Sequence, residues 1–147
     1  MKTKTLKQAE LIKSENYNNG DVVKAKANIL LNHYAIFFKD IDGEAKLIHN
    51  TPLKSVVIDK WDDFFKEREF ISIQKSLISG IELNKLMDKY NLLKVKKYNL
   101  FNYDCEDFIS EITGNEIKIK QITKFINLSV IGTLLLISYF LTNRRNL

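Results

Sequence analysis

Three side chains in this sequence have the chemistry of a nucleophile and its base. Cys105 is the one cysteine among 147 residues, and His33 and His49 are the two histidines. An imidazole can activate a thiol toward acyl groups, so these residue types predict acyl chemistry. One cysteine cannot form an internal disulfide, and no cluster of cysteines and histidines offers the ligands of a zinc site. We expect no cofactor and no metal.

A helix is predicted over 104–113, and Cys105 lies in its first turn. Asp104 is the predicted N-cap, and Gly114 is the residue that ends the helix. The inward positions follow the i, i+3, i+4, i+7 spacing of one buried face and are Cys105, Phe108, Ile109 and Ile112. The thiol is therefore predicted to point toward the body of the domain.

The charges around the thiol act in opposite directions. Unpaired N–H groups at the start of a helix favour the thiolate. The carboxylates of Asp104, Glu106 and Asp107 oppose it. A nearby imidazole is needed to activate Cys105, and a small buried cysteine without a chemical role is the alternative interpretation.

Five segments rich in β-branched and aromatic residues predict the strands of an antiparallel sheet. They are 22–26, 32–38, 46–49, 55–59 and 70–73. Helical patterns cover 61–68, 81–90 and 104–113. The predicted fold class is α+β, with about four to five antiparallel strands packed with helices.

The loop between the second and third predicted strands decides whether the two histidines meet. Ile41-Asp42-Gly43 suits a three-residue hairpin loop with glycine in the left-handed conformation. This register places His49 opposite Ala35 and makes His33 its diagonal neighbour on the same sheet face. A loop of two or four residues would place the histidines on opposite faces.

The formal net charge of the chain is +5, from 23 basic and 18 acidic residues. Lysines near the start and before a C-terminal apolar segment fit either a solvated surface or contact with anionic lipid. No nucleic-acid-binding motif accompanies them, so we expect no nucleic-acid partner. The first residues contain no apolar stretch long enough for a secretory signal.

The uncharged segment 125–141 lies between Lys124 and the pair Arg144 and Arg145. At about 1.5 Å per residue it reaches roughly 26 Å, which is the short end for crossing a bilayer. Because the segment is apolar on all sides, we predict a C-terminal transmembrane helix over 125–142 rather than a buried core helix. The expected localisation is the membrane, with a single-pass tail anchor and the remaining domain facing the cytoplasm.

Four segments occur in the order of a known family. They are Gly20-Asp21-Val22-Val23, His33-Tyr34-Ala35-Ile36-Phe37, Leu47-Ile48-His49 and the block Tyr98–Phe108 around the cysteine. The chain thereby resembles the lecithin:retinol acyltransferase family, especially its small tail-anchored phospholipases and acyltransferases. The resemblance implies a permuted papain-like catalytic domain over 18–117, preceded by a polar segment over 1–17.

The resemblance also implies a role for each candidate residue. Cys105 is the nucleophile that carries the acyl group as a thioester, His33 is the general base and acid, and His49 orients His33. The implied reaction moves an acyl group from a membrane glycerophospholipid to water, an amine or an alcohol. The family's cysteine block reads Asn-Cys-Glu-His-Phe, whereas Asp104 and Asp107 stand here in place of the Asn and the second His.

Two other functions compete with this one. A papain-like peptidase or amidase keeps the same fold and thiol, although the missing secretory signal and the predicted C-terminal anchor count against it. A non-enzymatic membrane interaction module is the other alternative, with the acidic replacements marking lost catalysis, as in certain picornaviral proteins that carry this domain.

Overall fold

The computed structural model describes residues 17–27, 31–115 and 129–137. The chain divides into two compact units, Met1–Ile117 and Lys118–Leu147. The strands of the first unit are β1 Val22–Lys26, β2 Asn32–Lys39, β3 Ala45–Thr51, β4 Ser55–Lys60 and β5 Glu69–Gln74. They form one antiparallel sheet in the order β4-β3-β2-β1-β5.

Within the described part of this unit, three helices accompany the sheet. They are α1 Trp61–Phe64, α2 Leu83–Leu93 and α3 Cys105–Thr113. Helix α1 is shorter than the predicted segment 61–68 because the chain leaves the helix at Phe65 and joins the sheet edge as β5. Helix α2 begins at Leu83 rather than at residue 81, and it continues past residue 90 to Leu93, whose buried side chain extends its apolar face.

Helix α3 has the boundaries and the caps that its sequence predicts. The Asp104 carboxylate accepts hydrogen bonds from the N–H groups of Glu106 and Asp107. Gly114 ends the helix in the left-handed conformation, with φ +75°. The predicted inward face is buried along its whole length, so the packing of this helix is confirmed.

Both faces of the sheet are buried, and each packs against different helices. Alternating strand residues form two separate apolar clusters, as the pleat of a strand requires. The cluster shared with α2 and α3 has the strand residues Val22, Ile36, Phe38, Ile48 and Val56, and we name it the α3 face. The cluster shared with α1 has the strand residues Val23, Ala25, Ala35, Phe37 and Leu47, and we name it the α1 face.

Gly20, two residues before β1, has no room for a side chain. Its φ is +92°, and a Cβ atom would lie 2.3 Å from the carbonyl oxygen of Ile78. Gly80 has a similar φ of +86° but no atom within 4 Å of the corresponding position. Gly20 therefore combines a left-handed backbone with a close approach, whereas Gly80 has the backbone conformation alone.

We expect Gly20→Ala to lower the free energy of unfolding by about 3 kcal/mol, because a strained backbone and an overlap with Ile78 both oppose the new Cβ. The matched variant Gly80→Ala has the strain without the overlap and is expected to cost about 1 kcal/mol. Urea denaturation followed by circular dichroism measures both losses. Equal losses in the two variants would contradict the close approach of Gly20 to Ile78.

The predicted transmembrane helix over 125–142 is wrong. Within that segment the described residues 129–137 are helical. In the three described ranges, no helix has both the length and the apolar character needed to cross a bilayer. Residues 125–128 and 138–142 lie outside the described residues, as does the polar segment 1–17 apart from Tyr17.

Candidate active site

The hairpin between β2 and β3 brings the two histidines together. Gly43 in its loop has φ +77°, and Ala35 is paired with His49, as the three-residue loop predicts. Nε2 of His33 lies 2.9 Å from Nδ1 of His49, and both side chains are buried. The predicted register and the diagonal contact between the histidines are therefore confirmed.

A carboxylate that was not among the predicted site residues continues this contact. Oδ2 of Asp59 lies 2.8 Å from Nε2 of His49, so Asp59, His49 and His33 form one hydrogen-bonded chain. We name this chain the relay. A carboxylate only accepts, so we assign the proton of His49 to Nε2, which leaves Nδ1 as the acceptor for Nε2–H of His33. The nitrogen of His33 that carries a lone pair is then Nδ1.

The signal for Asp59 was present in the second hairpin of the sequence. Residues 52–54 form the turn between β3 and β4, and His49 is paired with Val57. Two positions further along, Asp59 is paired with Leu47 and lies on the same sheet face as His49. Like the first hairpin, this one has an odd number of loop residues, which places Asp59 on the sheet face of His49. The same argument from loop length would therefore have identified the carboxylate.

We expect Asp59→Asn to disturb the proton arrangement of the relay, because a neutral amide no longer fixes the proton of His49 on Nε2. Long-range ¹⁵N–¹H NMR should then show a mixture of His33 tautomers. Acyl transfer, where it is measured, should slow by at least about tenfold. Asp62→Asn, which alters an exposed carboxylate of α1, is the matched control. A spectrum unchanged in both variants would contradict the relay.

Burial keeps both imidazoles neutral. The ring of Phe64 lies against both of them, with centroid distances of 5.7 Å to His33 and 4.9 Å to His49. Burial, followed by the charges of His49 and Arg68, lowers the pKa of His33 to about 3. Burial also lowers the pKa of His49 to about 4, although its hydrogen bond to Asp59 opposes this shift. Both imidazoles are therefore neutral at pH 7 and can accept a proton, but pKa values of about 3 and 4 make them weak bases in the resting site.

Arg68, directly before β5, packs on the Phe64 ring that contacts both histidines. Its guanidinium carbon lies 4.7 Å from the ring centroid of Phe64, and Nη1 donates a hydrogen bond of 2.8 Å to the Phe64 carbonyl oxygen. The positive charge also lowers the pKa of both histidines. Sequence reasoning missed this residue, although it follows Phe64 at the i, i+4 spacing of a helix.

The two aspartates beside the thiol serve as helix caps. Oδ1 of Asp104 accepts from the N–H groups of Glu106 at 2.7 Å and Asp107 at 3.0 Å. Oδ2 of Asp107 accepts in return from the N–H of Asp104 at 3.1 Å. Both carboxylates therefore stabilise the start of the helix that carries Cys105.

Cys105 is a buried thiol with a raised pKa. Burial is the largest cause and raises the pKa to about 12. Hydrogen bonding from the backbone N–H groups of Tyr34 and of Cys105 itself lowers the pKa, and the charges of Asp104 and Glu106 raise it by less than burial does. Desolvation, rather than the acidic neighbours, therefore keeps this thiol protonated.

The histidine rings and the helix that carries the thiol pack on different faces of the sheet. The histidine rings pack on Phe64 of the α1 face, whereas α3 packs on the α3 face. The described β2–β3 pairs end at Ala35 and His49, and hydrogen bonding from the backbone N–H of Tyr34, the residue before Ala35, lowers the pKa of Cys105. Among the described residues, the hydrogen bonds of the histidine rings go to each other and to Asp59, and none goes to Cys105.

Asn50 connects the two sides of the site. It follows His49 in β3 and is fully buried, and its Nδ2 donates to the carbonyl oxygens of Tyr103 at 3.0 Å and Asp104 at 3.2 Å. Because neighbouring strand residues point to opposite faces, His49 reaches the relay while Asn50 holds the start of α3. Asn50 was not predicted, and a buried amide that must find partners was the available signal.

Comparison with protein-family models, with curated proteins and with solved structures finds no match to this chain. The resemblance of its four segments to the lecithin:retinol acyltransferase family remains a prediction.

Proposed function

We propose that this chain is a cysteine-dependent acyl-transfer enzyme that takes its acyl group from a glycerophospholipid. The observation that carries the proposal is the relay, which leaves Nδ1 of His33, the residue before Tyr34 in β2, as the nitrogen with a free lone pair. The lipid substrate is supported by the order of the four segments that resemble the acyltransferase family. Membership of that family is part of the proposal.

The first step is general-base activation of the thiol. Nδ1 of His33 takes the proton of the Cys105 thiol while the sulfur attacks the ester carbonyl carbon of the substrate. Nε2–H of His33 donates to His49, whose own N–H is held by Asp59, so the relay orients the imidazolium that forms on His33. Because the resting thiol is protonated, proton transfer accompanies attack and no thiolate–imidazolium pair precedes it.

The negative oxygen of the tetrahedral intermediate needs hydrogen-bond donors. Hydrogen bonding from the backbone N–H groups of Cys105 and Tyr34 lowers the pKa of the thiol, and we assign these two groups as the donors to the oxygen on the attacked carbon. The intermediate then expels the lysophospholipid alkoxide, which takes the proton from His33. The acyl group remains on Cys105 as a thioester.

The second half of the reaction releases the acyl group. Water, an amine or an alcohol gives its proton to His33 as it attacks the thioester carbonyl, and the Cys105 thiolate leaves and recovers that proton. The products are a fatty acid, an amide or an ester. No cofactor enters either half of the proposed reaction.

The test is the release of lysophospholipid and labelled fatty acid from radiolabelled phosphatidylcholine vesicles. We expect turnover by the wild-type chain and none by Cys105→Ala, with Asp62→Asn as a variant that retains activity. Equal turnover by Cys105→Ala would contradict the nucleophile. Turnover of a peptide panel without turnover of lipid would contradict the substrate class and favour a peptidase or amidase.

A non-catalytic interaction module is a second candidate, and the pKa of about 12 for Cys105 favours it. A thiol that stays protonated at neutral pH is poorly reactive unless a base removes its proton during attack. The two candidates therefore differ in whether His33 acts on the thiol when an ester is bound.

We expect iodoacetamide to alkylate Cys105 more slowly at pH 7 than it alkylates the same cysteine in the unfolded chain. Iodoacetamide reacts with the thiolate. Because the pKa is raised, the thiolate forms only at a pH above the ordinary thiol pKa of about 8.5. The alkylation rate of the folded chain should still increase between about pH 10 and pH 11, where a free thiol with a pKa of about 8.5 is already almost fully ionised. A folded-chain rate that is faster than the unfolded control at pH 7 would contradict the protonated resting thiol.

A further inference from the structure

Two turns beside the candidate site carry exposed apolar side chains at their tips. Leu53, in the turn between β3 and β4, is 95% exposed. Leu100 and Phe101 are also exposed and lie four to five residues before Cys105, with Phe101 64% exposed. We name these three side chains the rim. Exposed leucine and phenylalanine in adjoining turns are typical of a surface that contacts another apolar phase.

Hydrogen bonds hold the two turns next to each other. Asn99 and Tyr103 exchange backbone hydrogen bonds of 3.0 Å and 2.8 Å, so residues 100–102 project as a short turn. The N–H of Tyr98 donates to Oγ of Ser55 at 3.2 Å, directly after the turn that contains Leu53. Asn50, directly before β3 ends, donates to the carbonyl oxygen of Tyr103. Each side of one turn is thus tied to one side of the other.

The charge beside the rim is positive. Lys54 follows Leu53 and is exposed, and its positive charge lowers the pKa of His49 in the relay. Lys97 is exposed beside the other turn. Apolar side chains flanked by lysines fit the surface of a bilayer that contains anionic lipid, since the side chains enter the acyl boundary and the lysines contact the headgroups.

We propose that the rim inserts into the surface of a bilayer containing anionic phospholipid and thereby holds the Cys105 site against its substrate. This inference rests on the proposed function, because it specifies the physical state in which the phospholipid is met. A protein partner fits less well, since a stable protein interface buries about 800 Å² on each side and three side chains on turn tips offer a small area.

The experiment uses the full chain with Cys105→Ala, which removes both turnover and the native thiol. Leu53→Cys or Phe101→Cys is added to it and labelled with the environment-sensitive fluorophore NBD. Ile41→Cys is the matched control, because Ile41 is an apolar turn residue that is 90% exposed in the β2–β3 loop, at the opposite end of those strands. A label reports its own position, so lipid contact elsewhere in the chain does not imitate the result.

We expect the labels at positions 53 and 101 to brighten and shift to the blue on phosphatidylcholine vesicles that contain phosphatidylglycerol, while the label at position 41 does not change. Adding Lys54→Glu to the labelled Leu53→Cys chain should weaken the response by roughly fivefold or more. Equal responses at all three positions, or none at positions 53 and 101, would overturn the proposal. Because the Cys105→Ala chain is expected not to turn over lipid, this experiment measures membrane contact alone. A negative result would overturn the insertion of the rim and would not bear on the proposed acyl transfer.

Discussion

Replacing His33 with alanine is expected to slow acylation of Cys105 by about 10²- to 10⁴-fold, which is the range for loss of a general base. The reason lies in two properties of the site. The Cys105 thiol is protonated at rest because burial raises its pKa to about 12, so attack depends on a base that removes the proton. The relay leaves Nδ1 of His33 as the nitrogen that can do so.

The acylation rate can be measured by stopping the reaction with acid at intervals and determining the intact mass of the protein. Added imidazole should restore part of the activity of His33→Ala, because the removed ring leaves space beside Phe64 that a free imidazole can enter. Rescue separates a chemical role from a structural one. Acylation at the wild-type rate in His33→Ala would show that His33 is not the base.

Replacing Phe108 with alanine is expected to lower the free energy of unfolding by about 3–5 kcal/mol, the usual cost of truncating a fully buried phenylalanine. Phe108 has 0% exposure and packs in the cluster of the α3 face. A domain of this size is stable by about 5–15 kcal/mol, so such a loss is a large share of the total. Because α3 carries Cys105, the site is expected to be lost with the fold.

Leu92→Ala is the matched control for this prediction. Leu92 is 73% exposed in α2, and its truncation is expected to change stability by no more than about 0.5 kcal/mol. Urea denaturation monitored by the fluorescence of the single tryptophan, Trp61, measures both variants. A loss below about 1 kcal/mol for Phe108→Ala would contradict the packing of α3 against the sheet, given the ordinary cost of such truncations.

Local signals account for the parts of the structure that the sequence predicted. The N-cap, the apolar spacing and the terminal glycine of α3 all lie within ten residues of one another and depend on no distant contact. The hairpin register was similarly local, since the loop over 41–43 determines which side chains of β2 and β3 share a face.

The remaining site residues depend on contacts between distant segments. Asn50 bonds to a backbone 53 positions away, and the effect of Arg68 on the histidines exists only because α1 packs beneath them. The high pKa of Cys105 also follows from burial, which cannot be read from the residues next to it in the sequence. The transmembrane helix was predicted from the apolar character of the segment alone, and the described residues contain no helix that is long and apolar enough to cross a bilayer.

The acidic residues beside the thiol also have a role that the sequence alone does not indicate. From sequence, Asp104 and Asp107 were two negative charges that opposed a thiolate. In the structure each carboxylate accepts backbone hydrogen bonds at the start of α3, and the pKa of Cys105 is raised mainly by burial. The start of α3 is therefore well formed with aspartate at both positions.

The most direct test of the central claim is peptide mass spectrometry of Cys105 after incubation of the full chain with phosphatidylcholine vesicles. The proposed chemistry predicts a fatty-acyl adduct on the peptide that contains Cys105, removed by neutral hydroxylamine as thioesters are. The adduct should be absent from Cys105→Ala and strongly reduced in His33→Ala. A Cys105 peptide that stays unmodified while vesicles and protein remain intact would contradict acyl transfer and favour the non-catalytic module.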